Sequence, residues 1–479
     1  MFKRIKQLDN EYFVYIIATA LSAAIHCLYS IFVKRYISPL EYGIYSTCLI
    51  LQTYMPYIQL GSLNAFNRDY PQYVGAKDNE SASKCRNSIF TFLLFVFIIF
   101  TVLISITIGI LGLVNKTDQR YIFGMIFCTI ITALTIFENF ACSRVRIDFN
   151  FKYTSFVLMI ESCAVIVGLY LVYKIGYYAL YLTTIGSIGI GVVLYIKKGF
   201  GDVKLSIDKI MLREMLVTGF PLLINNLIWT IVNSIDKFVI LVFINTESLG
   251  MYSIAQMTFT YMILIPNTIS QLFYVNLGKI YGESKSKNVL NKAAEKYTLS
   301  VSVITSIVVL IAYYFLEPVV NLIMPNYAGG ILAAKILLLG LAIYTPTIVS
   351  SNVLTILKKN SVLVRGSIYL CILNMICSIS LVVIGGSNIE NIAWGTTISY
   401  LCRTFIMIYQ LKVHASMDIV AMLRVSMVPV LIIIIPGIIT SFVIANYLLA
   451  FGVSLILGIL ILELLYSKDI TAMMNRIKK

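Results

Sequence analysis

Charged residues are scarce in this sequence. Asp, Glu, Lys and Arg make up 12% of its 479 residues, whereas 59% are hydrophobic. A water-soluble domain carries roughly 25% charged residues, and no polar stretch here is long enough to form one. The net charge is +15, but a nucleic-acid-binding protein would carry its basic residues on a polar domain, and this sequence has none. These features exclude a water-soluble protein and a nucleic-acid binder.

Histidine is also rare, and its two residues, His26 and His414, are too few for a histidine-based metal site. Nearly all nine cysteines lie inside apolar runs, and no two have the spacing of metal ligands. No polar loop collects them into a disulfide framework. No Ser–His–Asp arrangement and no glycine-rich phosphate loop is present. We expect no catalytic residues, no metal and no bound cofactor.

Long apolar runs dominate what remains. A helix that crosses a hydrocarbon core of roughly 30 Å needs about 20 apolar residues, and fourteen runs reach that length. They lie at approximately 13–33, 42–63, 90–114, 121–142, 154–174, 178–196, 215–241, 250–277, 298–323, 331–356, 362–384, 391–411, 423–445 and 447–466. The sequence predicts an all-α polytopic membrane protein of about 14 transmembrane helices.

The basic residues favour one orientation of these spans. With the N-terminus in the cytoplasm, 29 of the 37 Lys and Arg residues fall in cytoplasmic segments. Cytoplasmic loops of membrane proteins are enriched in Lys and Arg. We therefore expect both termini to be cytoplasmic and the outer loops to be short.

A short stretch occurs twice along the chain. Residues 36–46 read YISPLEYGIYS and residues 243–253 read FINTESLGMYS, an offset of 207. The offset also aligns Gly75 with Gly282, so it persists through a whole span. We expect each copy to be a tight outer turn, with Gly43 and Gly250 supplying its backbone freedom.

The repeat predicts the domain organisation. Six spans per copy is an even number, so both copies insert the same way up, with a site between them near the membrane midplane. We expect two parallel six-helix lobes around a central cavity, plus two extra C-terminal helices. The expected segments are 1–200, 201–414 and 415–479.

Two further features concern the shape of the spans. Proline residues inside spans predict bends; they are Pro56, Pro221, Pro266, Pro346 and Pro436. The polar segment 64–78 is predicted to close the second span and to begin a cytoplasmic loop. Two readings stay open: Arg68 and Asp69 cap the helix end and gate entry from the cytoplasm, or the segment is an ordinary solvated loop.

Ionisable and amide side chains inside spans are costly, so they are candidates for function. Other readings stay open: Asp236 and Lys237 could neutralise each other, Arg403 could extend to the headgroups, and His26 could be a hydrogen-bonded core residue. The candidates for substrate binding are Arg68, Lys237, Lys335, Arg403, His26, Asn225, Asn226, Gln256 and Gln271.

The fourteen spans, the repeat, the connector SPLEYGIYS and the segment LGSLNAFNRDYPQYVGAKD together resemble a known family. They are similar to lipid-linked oligosaccharide flippases, the Wzx-type polysaccharide transporters of the multidrug/oligosaccharidyl-lipid/polysaccharide exporter superfamily. The resemblance implies a monomer in the bacterial inner membrane. It would move an undecaprenyl-diphosphate-linked oligosaccharide through the bilayer by alternating access and supply the polysaccharide polymerase machinery.

The resemblance also implies a Na⁺ or H⁺ site in the second lobe, built from an acid and amides. The matching positions in this sequence are Asp236 and Asn374. The first competing function is a drug or organic-cation antiporter of the same superfamily, which would need an acidic cavity. The second is a membrane polysaccharide polymerase or ligase, which would need a large outer loop.

Overall fold

The computed structural model describes the backbone of residues 2–113, 118–147, 150–444 and 446–477. In these ranges the chain forms eighteen α-helices and no β-strand. The first eight are α1 (Phe2–Tyr36), α2 (Pro39–Tyr54), α3 (Ser62–Gly75), α4 (Asn79–Leu113), α5 (Gln119–Ile147), α6 (Phe151–Ile175), α7 (Tyr177–Tyr195) and α8 (Lys209–Phe243). The others are α9 (Thr246–Met262), α10 (Leu264–Ser284), α11 (Lys287–Ile323), α12 (Ile331–Tyr344), α13 (Pro346–Ile356), α14 (Asn360–Gly385), α15 (Ile389–Ala415), α16 (Ile419–Ser426), α17 (Val428–Val443) and α18 (Tyr447–Ile477).

Twelve helical segments of the described chain are long and apolar enough to cross a membrane. Two of the fourteen predicted runs, 42–63 and 391–411, are not among the twelve. The first is interrupted where α2 ends at Tyr54. The second lies in α15, where Arg403 and several Thr, Ser and Tyr residues lower the mean hydropathy. The prediction of an all-α, multi-pass membrane protein is confirmed, and its count of 14 is approximate.

The chain divides into two compact units, residues 1–231 and 232–479, and the division falls inside α8. In the first unit α5 packs against α2 and α7, while α6 packs against α1 and α7. In the second unit α12 packs against α9 and α15, and α14 packs against α15. α16, α17 and α18 belong to the second unit and contact α11.

The offset found in the sequence is visible in the helix boundaries. α1 begins at Phe2 and α8 at Lys209, and these helices end at Tyr36 and Phe243, so both pairs of boundaries differ by 207 residues. α2 and α9 also begin 207 residues apart. The two copies therefore fold into helices of the same length before small insertions shift the register.

Side-chain caps begin the second helix of each copy. The Ser38 Oγ accepts a hydrogen bond from the Glu41 backbone N–H at 3.3 Å, and the Glu41 carboxylate accepts one from the Ser38 N–H at 3.1 Å. This is a capping box. Asn245, at the same offset, accepts from the Ser248 N–H at 2.8 Å. The repeated stretch is thus a helix start.

The role predicted for the two connector glycines is wrong. Gly43 and Gly250 are buried inside α2 and α9, so neither supplies the freedom of a turn. The chain turns earlier, at 37–38 and 244–245, because the caps and Pro39 favour a helix immediately afterwards.

The predicted bend at Pro56 is a break in the helix. Pro56 lies in a 3-10 turn, Met55–Gln59, and Leu60 and Gly61 then adopt left-handed backbone conformations with φ of 52° and 83°. A Cβ atom on Gly61 would lie 2.4 Å from the carbonyl carbon of Gly219 in α8. The break between α2 and α3 therefore touches the backbone of α8 directly.

The second unit contains similar interruptions. α9 and α10 meet at Ile263, three residues before Pro266, and α12 and α13 meet at Thr345, immediately before Pro346. Proline cannot donate the backbone hydrogen bond that a continuous helix needs. By contrast, α8 and α17 continue through Pro221 and Pro436.

The loop predicted for residues 64–78 is mostly helical, because α3 extends from Ser62 to Gly75. Leu63, Phe66 and Tyr70 recur at helical spacing and are all buried. This apolar face packs on α4. Arg68 and Asp69 consequently lie within the helix, and they do not cap its end.

Candidate functional site: a buried carboxylate network in the second unit

A buried polar network joins α8, α9, α14 and α15 around Asp236. The Asp236 Oδ2 accepts a hydrogen bond from the Tyr252 hydroxyl at 2.5 Å, and its Oδ1 accepts one from Thr396 Oγ1 at 2.7 Å. Thr396 Oγ1 also lies 3.2 Å from Asn374 Oδ1, which accepts from Ser378 Oγ at 2.9 Å. All five side chains are buried. The two residues nominated from the sequence, Asp236 and Asn374, thus lie in one network.

A close helix contact brings this network together. A Cβ atom on Gly395 would lie 2.6 Å from the Cα of Ser378, so only glycine permits this approach of α15 to α14. The next residue, Thr396, can therefore reach both Asn374 on α14 and Asp236 on α8. Small residues allow this kind of packing between membrane helices.

The chemistry of the network is that of hard oxygen ligands. One carboxylate, one amide oxygen and three hydroxyl groups meet there. Such donors suit hard cations, which prefer oxygen, and a single carboxylate balances one positive charge. Within the described residues, no group of three or more His, Cys, Asp or Glu is placed to hold a metal ion. The network therefore matches a proton or a monovalent cation.

Lys237 lies next to this network. It follows Asp236 on α8 and is half-buried, and the two opposite charges attract each other. The hydrogen bonds to Asp236 nevertheless come from the hydroxyls of Tyr252 and Thr396. The ammonium group of Lys237 is therefore not needed to hold the Asp236 side chain in place.

Arg403 is buried elsewhere in the second unit. Only 2% of it is exposed, and its Nε and Nη1 atoms have no hydrogen-bond partner. Its guanidinium lies against Gly366 of α14. This burial does not support the reading in which Arg403 extends to the headgroups.

Lys335 has a carboxylate partner. Its Nζ lies 2.6 Å from the Glu317 Oε2 of α11, and it also lies 5.2 Å from the ring centroid of Tyr313. Tyr447 donates a second hydrogen bond to Glu317 at 3.3 Å. The positive charge of Lys335 is therefore balanced inside the second unit.

We expect Lys335→Ala to affect stability more than function. The pair is partly exposed, with 18% and 31% of the two side chains accessible, so its coupling energy should be about 0.5–1 kcal/mol. Thermal unfolding of Lys335→Ala, Glu317→Ala and the double variant measures this coupling. Transport by Lys335→Ala should stay within about fivefold of the wild type, because an energy of this size shifts an equilibrium by roughly two- to fivefold. A tenfold loss of transport in Lys335→Ala would instead indicate that Lys335 contacts the substrate.

Asn226 of the first unit lines a polar cavity at the break after α2. The cavity has a volume of about 270 Å³. Its walls carry hydroxyl and amide groups but no charge among the described residues. They are formed by Thr53, Pro56, Tyr57, Gln59, Asn64, Leu223 and Asn226. Gln59 also accepts a hydrogen bond from the Leu63 N–H at 3.2 Å, which stabilises the break.

The other candidates do not gather into one group. The His26 Nδ1 lies 2.9 Å from the Ser22 carbonyl oxygen of its own helix, in agreement with a core histidine. Arg68 is exposed and pairs with Asp69 at 2.5 Å, which raises the pKa of its guanidinium. Gln256 on α9 is half-buried and Gln271 on α10 is exposed. The side chain of Asn225 lies outside the described residues.

Two carboxyl groups lie near one another in the first unit. Glu138 on α5 is half-buried, and Glu161 on α6 is buried. Both approach Gly191 of α7, where a Cβ atom would lie 1.7 Å from the Glu161 Oε1 and 3.3 Å from the Glu138 Oε1. Two acidic side chains therefore share the space beside the α7 backbone at Gly191.

Sequence reasoning missed the hydroxyl partners of Asp236. Tyr252, Thr396 and Ser378 carry no charge, and hydroxyl residues are common in membrane helices. One signal was available, because the offset of 207 aligns Tyr252 with Tyr45 and Asp236 with Tyr29. Aligning the two copies shows that the tyrosine is present in both, whereas the carboxylate is present in the second copy only.

Comparisons with solved structures show which proteins share this fold. A lipid II flippase, MurJ, in an inward closed conformation has a TM-score of 0.72 at 14% identity, covering 96% of this chain and 100% of the other. An inward-facing multidrug resistance MATE family transporter of the MOP superfamily has a TM-score of 0.67 at 12% identity, covering 84% and 98%. The Vibrio cholerae MATE transporter VcmN has a TM-score of 0.58 at 14% identity, covering 86% and 98%. The chain has the fold of the transporters of this superfamily.

A family model identifies the chain more closely. The model described as Polysaccharide biosynthesis protein matches residues 32–326, more than half of the chain. The chain belongs to this family of polysaccharide biosynthesis proteins, and the resemblance inferred from its connector and polar segment is confirmed. No curated protein sequence matches it.

Proposed function

We propose that the chain is a flippase that moves an undecaprenyl-diphosphate-linked oligosaccharide across the bacterial cytoplasmic membrane by alternating access. The observation that carries the proposal is its membership of a polysaccharide biosynthesis family. A similar structure bears the name lipid II flippase, which supports a lipid-linked substrate. A diphosphate and a sugar need such a protein, because burying charge in hydrocarbon is very costly.

The orientation follows from the basic loops. Both termini are cytoplasmic, since 29 of the 37 Lys and Arg residues then lie on the inner side. The substrate is taken from the inner leaflet and released to the polysaccharide polymerase machinery outside. One copy of the chain forms the transporter.

The Asp236 network is the coupling site of this cycle. Its oxygen atoms bind one Na⁺ or one proton, and the bound charge compensates a buried carboxylate whose hydrogen-bond donors are neutral hydroxyls. An intramembrane ionisable group with such partners is a functional site by default. Asp236 supplies the charge, and Asn374 and Thr396 supply neutral oxygens.

The two ends of the substrate require different chemistry. The uncharged cavity at the break after α2 suits sugar hydroxyls, since Tyr57, Gln59 and Asn226 offer donors, acceptors and an aromatic face. Interrupted membrane helices supply substrate sites in other transporters. Lys237 is half-buried and offers the diphosphate a charge-assisted hydrogen bond.

Lipid analysis of a deletion strain tests this function. The strain should accumulate a lipid-linked repeat unit on the cytoplasmic leaflet, and the wild-type chain should clear it. Complementation with Lys237→Ala should restore roughly a tenth or less of the surface polysaccharide, because one charge-assisted hydrogen bond is worth about 1.5–3 kcal/mol. The exposed Lys359→Ala is the matched control. Normal polysaccharide in the deletion strain would contradict the proposal.

A second candidate function is an organic-cation antiporter. The likeness to MATE transporters and the two carboxyl groups of Glu138 and Glu161 beside Gly191 favour it, because an organic cation would require acidic groups. Drug susceptibility of the deletion strain separates the two functions. An antiporter predicts increased susceptibility with no stored lipid-linked sugar.

A further inference from the structure

A small cleft lies between α14 and α15 in the second unit. Its volume is about 150 Å³. Its walls carry hydrogen-bond donors that are neutral or positively charged, and no carboxylate among the described residues lines it. They are formed by Val362, Arg365, Gly366, Tyr369, Gln410 and His414.

Arg403 lies behind one wall of this cleft. A Cβ atom on Gly366 would lie 2.0 Å from the Arg403 Nη1 and 3.0 Å from its Cζ, so the guanidinium occupies the space that glycine leaves. Two of its nitrogen atoms, Nε and Nη1, are buried without a hydrogen-bond partner. A buried cation costs several kcal/mol unless an anion is paired with it. This arrangement calls for a negatively charged group.

Helical spacing directs three polar side chains of α15 to the same side. Arg403, Gln410 and His414 are separated by seven and four residues, which places them on one face of the helix. Arg365 of α14 lines the same cleft as Gln410 and His414, and it is exposed. Arginine binds phosphate oxygens through two parallel hydrogen bonds, so this set of donors suits a phosphate.

The surroundings of the cleft are apolar and exposed. Ile368 and Ile372 of α14 are 39% and 50% exposed, and Phe405, Tyr409 and Val413 of α15 are 50–58% exposed. In a membrane helix such faces contact hydrocarbon chains. The lining residues Val362 and His414 lie within a few residues of the turns at 357–359 and 416–418, which the basic loops assign to the cytoplasmic side.

We propose that this cleft binds the phosphate of a membrane lipid in the cytoplasmic leaflet. Arg365 and Arg403 balance the negative charge, Gln410 and His414 donate hydrogen bonds to its oxygens, and the lipid chains lie along the exposed faces of α14 and α15. The proposal does not depend on transport, because glycerophospholipids and polyprenyl diphosphates both carry this group. A phosphate in the cleft lies across Gly366 from the Arg403 guanidinium and places a negative charge near this buried cation.

Lipid binding to the detergent-solubilised full chain tests the proposal. The probes are phosphatidylglycerol, farnesyl diphosphate, inorganic pyrophosphate and, as a lipid without phosphate, diacylglycerol. Arg365→Ala should weaken binding of the preferred phospholipid about tenfold, since one charge-assisted bond is worth at least 1.4 kcal/mol. Gly366→Ala should weaken it as well, because its Cβ displaces the Arg403 guanidinium without removing the charge.

The control and the outcomes are defined in advance. Lys412→Ala removes one exposed charge at the same end of α15 and should change the affinity by less than twofold. A preference for phosphatidylglycerol identifies a bulk lipid site, and a preference for farnesyl diphosphate identifies an entry site for the substrate. The proposal is wrong if Arg365→Ala and Gly366→Ala both bind like the wild type. It is also wrong if Lys412→Ala loses as much affinity, or if pyrophosphate or diacylglycerol binds as well as the phospholipids.

Discussion

Asp236→Asn should abolish the response of this protein to the coupling ion that we propose. A cation at a hundredfold excess over its dissociation constant would stabilise the folded wild type by about 2.7 kcal/mol. The variant removes the one carboxylate of the network and keeps its shape, so no charge remains to balance a cation. The melting temperature of purified Asp236→Asn should no longer rise with NaCl. Its transport rate in proteoliposomes should fall at least tenfold and respond to neither a sodium nor a proton gradient.

The matched control for this prediction is Glu247→Gln. Glu247 lies in the first turn of α9, the helix that contributes Tyr252, but its side chain is exposed. It should keep the ion response of the wild type. Thr396→Val should give an intermediate result, because it removes one neutral oxygen worth about 1 kcal/mol. If the melting temperature and the transport rate of Asp236→Asn still respond to ions as in the wild type, the Asp236 network does not bind the coupling ion.

Without NaCl, Asp236→Asn should be at least as stable as the wild type. A carboxylate buried at 8% exposure has a desolvation cost that the neutral amide avoids. The same substitution therefore separates ion coupling from folding. A variant that simply unfolded would lose both the transport and the melting transition, whereas the expected variant keeps the transition and loses its dependence on ions.

The span positions were predictable because hydropathy depends on the composition of a continuous segment. The repeat was predictable to the residue where no insertion intervened, as the starts of α1 and α8 show. The helix in 62–75 was not predicted, because its apolar face is narrow and its remaining side chains are polar. The glycines of the connector were misread, since a sequence does not show whether glycine serves a turn or a close helix contact.

The candidate site divides in the same way. Asp236 and Asn374 could be nominated because polar residues inside spans are expensive, and a family resemblance connected them. Asp236 and Asn374 are connected through Thr396, which reaches both because α15 approaches α14 closely at Gly395. The sequence alone does not show how these helices pack. The cations proved less informative, because Lys335 is neutralised by Glu317 from another helix. A positive charge in a sequence does not show whether the folded chain already balances it.

Gly61→Ala should destabilise the first unit severely. The residue has a left-handed φ of 83°, which costs an L-amino acid roughly 1–2 kcal/mol. Its new Cβ would also lie 2.4 Å from the backbone carbonyl carbon and oxygen of Gly219, and overpacking of this kind costs typically 1–3 kcal/mol. The sum, about 2–5 kcal/mol, is a large part of the stability of a typical domain, roughly 5–15 kcal/mol. Monodisperse yield after solubilisation and the melting temperature should both fall sharply.

Two further glycines turn this prediction into a graded series. Gly219→Ala creates the same collision from the α8 side, with its Cβ 2.2 Å from the Gly61 carbonyl oxygen, but it lies in a helix without a positive φ. It should therefore cost roughly 1–2 kcal/mol less than Gly61→Ala. Gly75→Ala, in α3, meets no atom within 4 Å and should leave the melting temperature unchanged or slightly raised. If Gly61→Ala and Gly75→Ala have the same melting temperature, the close contact between Gly61 and the α8 backbone does not stabilise the first unit. The polar cavity next to this contact would then not depend on it.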